Sequence, residues 1–247
     1  MSKQYRCQLA RIWRDVITRS ERDVFASRPE LRRRARGDDA LPQPGFVGRR
    51  YKRGGIVFIG ANPGGAGVPQ LKSDSVQNEL LRKLRGATGS ACLDAFEKLM
   101  NHLRVAMPED WRIYDICVPP VLEGSGYTVD DIAFLNLVKW RTTAERLTGA
   151  VVRASWEFQT QRQVAALRPR VIVGLGRTVV GRYVNEFDID REECFILKRM
   201  RGDRRLSDEG LAEAKRASRW LQKKAFHNAK PLTLEHYRFR SLAISEN

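Results

Sequence analysis

Cysteine and histidine are scarce in this chain of 247 residues, and neither is arranged for chemistry. The four cysteines, Cys7, Cys92, Cys117 and Cys194, are widely scattered, with no C-x-x-C pair and no histidine pair beside them. A structural metal or an iron–sulfur cluster therefore has no support in the sequence, no cofactor is expected, and the thiols read as reduced and mostly buried. Of the three histidines, His102 lies in a helical pattern and His227 and His236 lie in the carboxyl-terminal tail, none in a recognisable catalytic setting. Long apolar runs are missing as well. None approaches the ~20 residues of a membrane span, and the amino terminus lacks a signal-peptide core, so a soluble cytoplasmic protein with no membrane partner is expected. Acidic residues fall well short of basic ones, 29 Asp and Glu against 45 Lys and Arg, for a net charge of +16 and a pI near 10.2. Such an excess repels itself unless an acidic partner neutralises it. Nucleic acid is the expected partner, because its phosphates release condensed counterions when lysine and arginine bind them.

What is present is organised around Gly54 to Gly65, GGIVFIGANPGG. Ile56 to Ile59 form an uninterrupted apolar run bounded by glycines, the pattern of a strand buried on both faces of a parallel sheet. Ala61-Asn62-Pro63-Gly64-Gly65 then reads as a tight loop off the strand's carboxyl end, where open α/β sheets bind ligands. The loop sets one polar side chain, Asn62, beside backbone amides. Turning the chain is the competing role for these residues, with Asn62 as an Asx-type turn residue.

Residues 4 to 26 carry Leu9, Ile12, Trp13, Val16 and Ile17 at helical spacing and read as one amphipathic helix. Residues 28 to 54 hold the run Arg32, Arg33, Arg34 and Arg36, then Pro42, Pro44, Gly45 and Gly48, and read as a mobile basic connection. Residues 1–53 are thus an amino-terminal extension packed on an α/β domain of residues 54–247, the whole forming one compact domain. Helices are expected over 73–85, 91–107, 144–167 and about 208–226, and Trp111 to Val118 reads as a strand or extended segment ending at Pro119-Pro120. Ala133 to Arg141, AFLNLVKWR, is an apolar strand containing Asn136, whose amide needs a partner, either protein or ligand. LRPRVIVGLG (167–176) and CFILK (194–198) are the remaining strands, the latter followed by a strongly basic loop through Arg205.

Taken in order, GANPGG, FLNLVKWR and P-x-V-I-V-G-L-G resemble the uracil-DNA glycosylase superfamily over roughly residues 54 to 226. The first loop is most similar to the mismatch-specific and single-strand-selective branches. The resemblance implies a central four-stranded parallel sheet flanked by helices, with a base pocket at the strands' carboxyl ends lined by Gly60, Ala61 and Gly64. It implies that Asn62 holds a hydrolytic water beneath the sugar carbon, and that Asn136 reads uracil by accepting from N3–H and donating to O4. The alternative for Asn136 is a core asparagine bonded to neighbouring backbone. The target base must be flipped out of the stack to reach such a pocket.

Three departures from the family stand out. Its His-Pro-Ser loop is replaced by LKRMRGDRR, so Arg201 is expected beside the departing uracil, with Lys198, Arg199, Arg204 and Arg205 as DNA contacts. Its base-stacking phenylalanine is absent, leaving Phe46 or Tyr51 to stack. Gly64 stands where the most uracil-restricted branch has tyrosine. The expected function is a monomeric, metal-free DNA repair enzyme, a monofunctional uracil-DNA glycosylase acting on uracil-containing DNA and leaving an abasic site. A non-catalytic uracil-DNA binding protein on the same fold and a nucleotide or small-molecule binding α/β protein are the alternatives. The last is weakened by the missing P-loop lysine and G-x-G-x-x-G spacing.

Overall fold

Five segments build one sheet: Phe46–Val47 (β1), Ile56–Gly60 (β2), Ile132–Asn136 (β3), Val171–Leu175 (β4) and Cys194–Leu197 (β5), in the order β1-β3-β2-β4-β5. The computed structural model describes residues 2–31, 41–63, 68–110, 112–142, 147–186, 194–199 and 205–223. The four longer strands run parallel, and every residue of β2, β3 and β4 is buried, which is why these segments read as unbroken apolar runs. Each large apolar side chain there contributes about 1.5–3 kcal/mol by leaving water. The protein is α/β, with helices flanking a mostly parallel sheet. The fifth strand, β1, pairs antiparallel with β3 and lay outside the four-strand expectation, because two residues carry no periodicity.

The amino-terminal region differs from its sequence reading in two ways. The single helix divides into Lys3–Thr18 (α1) and Glu21–Phe25 (α2), because Ser20 and Asp23 form a reciprocal capping box that starts a second helix. Residues 41–48 are buried rather than a mobile connection. Trp13 Nε1 donates to Gly45 O at 3.0 Å, Gln163 Nε2 to Pro44 O at 2.6 Å, and Gln43 N to Lys139 O at 2.7 Å. Arg32, Arg33, Arg34 and Arg36 lie outside the described residues. Trp13, Phe25, Phe46 and Tyr51 belong to the same hydrophobic core as the sheet, so residues 2–31 and 41–53 are built into the body.

Between β2 and β3 lie Val68–Gly86 (α3), Gly89–Asp110 (α4) and Arg112–Leu122 (α5). The last of these corrects the expected strand over Trp111 to Val118. Pro119 and Pro120 sit inside its final turns, where they lack the N–H groups that would pair with the carbonyls of Asp115 and Ile116, while Cys117, Val118, Val121 and Leu122 bury one face. The segment from β3 to β4 crosses over through Gly149–Ser155 (α6), a π-helical turn Trp156–Thr160, and Gln161–Leu167 (α7). Arg182–Asn185 (α8) follows β4, and Asp208–Lys223 (α9) packs on α5 and β5. Burial pushes the Cys117 and Cys194 thiols up to about 12, so both are protonated at neutral pH.

Candidate active site at the carboxyl ends of β2 and β3

β2 and β3 end in register, Gly60 opposite Asn136, and their pairing continues into the loops beyond. Leu137 N donates to Gly60 O and Val138 N to Ala61 O, both at 2.9 Å. Arg141 donates to Pro63 O at 2.7 Å, tying the end of one loop to the end of the other. Across this stitched pair, Asn62 Nδ2 donates to Thr142 Oγ1 at 2.7 Å. That bond places one of the amide's two N–H donors on a buried threonine and leaves Asn62 Oδ1 unengaged among the described residues. Ala61, Asn62 and Pro63 are half-buried, whereas Gly64 lies outside the described residues.

Asn136 is 6% exposed, and no hydrogen bond among the described residues engages its side chain. Gly60 explains how the amide fits: a Cβ at that position would lie 2.6 Å from Asn136 Oδ1. Below Asn136 on the same side of the sheet, the rings of Phe58 and Phe134 stack 6.4 Å apart.

The backbone of Asn136 is gripped from beneath by residues that sequence reasoning passed over. Lys139 is fully buried and its Nζ donates to Asn136 O at 2.7 Å, while Thr160 Oγ1 donates to Asn136 O at 3.2 Å and to Leu137 O at 3.0 Å. Burial drives the Lys139 amine well below its ordinary pKa. A lysine set inside the run FLNLVKW was the available signal, since a lone cation amid apolar residues is either buried at a cost or turned outward. Thr142 had no such signal.

Phe46 and Tyr51 are not placed to stack on a base. Phe46 is 1% exposed and pairs with Phe134, and Tyr51 is wholly buried, its hydroxyl donating to Leu167 O at 3.2 Å near the amino end of β4. Both were read as loop aromatics because the edge strand that buries them has no sequence signature. Lys198 lies past the end of β5, two strands from β2, and its Nζ donates to Glu209 Oε2 at 2.8 Å, holding that carboxyl below its ordinary value. Arg199 is exposed and forms an isolated antiparallel bridge with Leu206, Arg205 is exposed, and Arg201 and Arg204 lie outside the described residues.

Two open clefts lie along the β5 side. One of about 380 Å³ is bordered by Arg177, Arg182, Lys198 and Glu209, and one of about 570 Å³ by Asp115, Arg205, Ser207 and Leu211. The first is floored by apolar Ile196 and mixes both charge signs, which does not single out one ligand. Among the described residues no three His, Cys, Asp or Glu side chains converge as metal ligands, and no helix is long and apolar enough to cross a membrane. No family model matches the chain, and no curated protein sequence matches it.

Proposed function

We propose that this protein is a DNA glycosylase that hydrolyses the N-glycosidic bond of uracil flipped out of DNA. The observation that carries the reading is the buried Asn136 amide, unengaged and held rigidly at the mouth of a loop whose one polar side chain, Asn62, presents a carbonyl oxygen. An amide so placed offers an acceptor and a donor side by side, the complement of uracil N3–H and O4. Cytosine presents the opposite pair and would leave two clashing groups.

In this reading Asn62 Oδ1 accepts a hydrogen bond from water and holds it below the sugar carbon. The glycosidic bond lengthens with the electron pair moving to uracil N1, positive charge collects on the sugar, and the water oxygen bonds to C1′. The water's proton passes to solvent, and the uracil anion departs and is protonated. An asparagine suffices because an oxocarbenium-like transition state needs placement of the water more than a strong base. Arg201 is proposed beside the departing anion, where a charged donor lowers the barrier by ~3–4 kcal/mol. The reading is tested by single-turnover excision from a uracil-containing oligonucleotide followed by alkaline cleavage. Wild-type protein is expected to cleave, and Asn62→Ala to lose about 10²–10³ in rate while binding the same oligonucleotide. A variant that cleaves as fast as wild type removes Asn62 from the chemistry, and an inactive wild type leaves a binding protein.

A further inference from the structure

The opposite end of the sheet carries a second concentration of positive charge. The turn of residues 51–55 and the loop of residues 168–170 precede β2 and β4, at the strands' amino ends, and they are bonded together. Gly54 N donates to Arg168 O at 2.8 Å, Arg170 N to Gly55 O at 3.2 Å, and Tyr51 Oη to Leu167 O at 3.2 Å. This fixes Lys52, Arg53, Arg168 and Arg170 side by side on two abutting loops. The Arg53 guanidinium lies 4.5 Å from the centre of the Tyr5 ring and donates to Gln8 Oε1 at 2.6 Å, and that of Arg170 lies 5.8 Å from the Trp220 ring. Tyr5 feels both neighbours: burial pushes its phenol up to about 12 while Arg53 and Arg168 pull it down.

Among the described residues no carboxylate pairs with Lys52, Arg53 or Arg168, although next to them Arg49 and Arg104 share Asp130 and Arg50 takes Asp131. Lys52, Arg53 and Arg168 are all exposed. Arg168 also holds a left-handed backbone, φ 46°, where glycine is the cheaper residue. A guanidinium held over an aromatic ring has already given up part of its side-chain freedom, so its grip on phosphate costs little further entropy. Neither loop offers an exposed large apolar side chain, which a lipid surface would need as an anchor.

We propose that this end of the sheet is a second phosphate-binding surface, which holds the backbone of a nucleic-acid duplex about 17 Å of strand away from the two asparagines. It grips the phosphates without sequence preference, so one chain holds two duplex segments at once. The inference does not depend on glycosylase activity, since an undamaged duplex is its ligand.

The test is a stoichiometric titration of the full chain with a fluorescent, undamaged duplex of about 12 base pairs, which is too stiff to bend around the sheet and serve both ends at once. Wild-type protein at low salt is expected to take up two duplexes, and the variant Lys52→Gln/Arg53→Gln/Arg168→Gly to take up one. Arg168→Gly alone relieves the left-handed backbone and so cannot act by unfolding; it is expected to weaken the second site about 5- to 6-fold at 0.15 M salt, the loss of one phosphate contact. Two duplexes still bound by the triple variant, or one bound by wild type, would overturn the proposal. So would a variant that keeps its second duplex but loses polyglutamate or anionic vesicles. Asn62→Ala is expected to keep both duplexes, and a protein that binds two but excises nothing sinks the glycosylase reading alone.

Discussion

Replacing Lys139 by methionine isolates what a wholly buried amine, with no carboxylate beside it among the described residues, does to this protein. The unfolded chain keeps a lysine proton up to about pH 10.4, whereas the folded chain sheds it at a much lower pH because burial penalises the charge. Between those two pKa values the unfolded state binds one more proton. Stability therefore rises with pH there, at up to about 1.4 kcal/mol per pH unit, and falls on acidification. Methionine matches the length and removes the titration. It also removes the 2.7 Å bond to Asn136 O, a net loss of about 1 kcal/mol, which the Thr160 hydroxyl on the same oxygen softens. Lys139→Met is thus expected to be the less stable protein above about pH 10. The curves should cross about one unit lower, and the variant should be the more stable protein at neutral pH. Urea unfolding of both proteins at unit steps of pH reads this directly. A stability difference that stays constant across the range would show that Lys139 keeps its proton in the fold, and would refute the reasoning.

The same geometry yields three further expectations. Gly60→Ala puts a methyl group into the Asn136 amide and is expected to cost about 1–3 kcal/mol in thermal unfolding, with a loss of excision larger than the loss of stability explains. Asn136→Asp removes the donor to O4 and should lower the uracil-over-cytosine preference in competition assays; unchanged uracil excision would take Asn136 out of recognition. Thr142→Val keeps the buried shape and deletes the acceptor that fixes Asn62, so single-turnover excision should fall about tenfold, the worth of one hydrogen bond, with Thr142→Ser restoring it.

The parallel strands were legible in the sequence because a strand buried on both faces leaves an apolar run that little else produces, and GIVFIG, FLNL and VIVGLG are such runs. Asn62 and Asn136 were legible for the converse reason, the first as a polar side chain just past such a run and the second as one inside it, although the strand read as Ala133 to Arg141 ends at Asn136. What escaped was set by tertiary context. Phe46 and Val47 are a strand only because β3 has an edge to cover, and α5 forms despite its two prolines because Cys117, Val118, Val121 and Leu122 bury one face. Trp111 to Val118 is rich in residues that favour strands, and packing against α4 and α9 overrode that preference. Thr142 left no trace, since its importance lies in a partner 80 residues away.

The π-helical turn at Trp156–Thr160 bears on how this protein tolerates change in length. A turn of this kind holds about one residue more than an α-helical turn, and one residue is about 100° of rotation for everything downstream. The surplus sets the phase of the crossover helix: Gln159 donates to Val16 O on α1 at 2.9 Å, while the next residue, Thr160, reaches the carbonyls that end β3. Deleting one residue here leaves an unbroken α-helix that still spans from α6 to α7 and still feeds β4. What the deletion takes away is the alignment, so the chain keeps its fold and loses the clamp under Asn136. The helix stores a frame offset, and the candidate site is written in that frame.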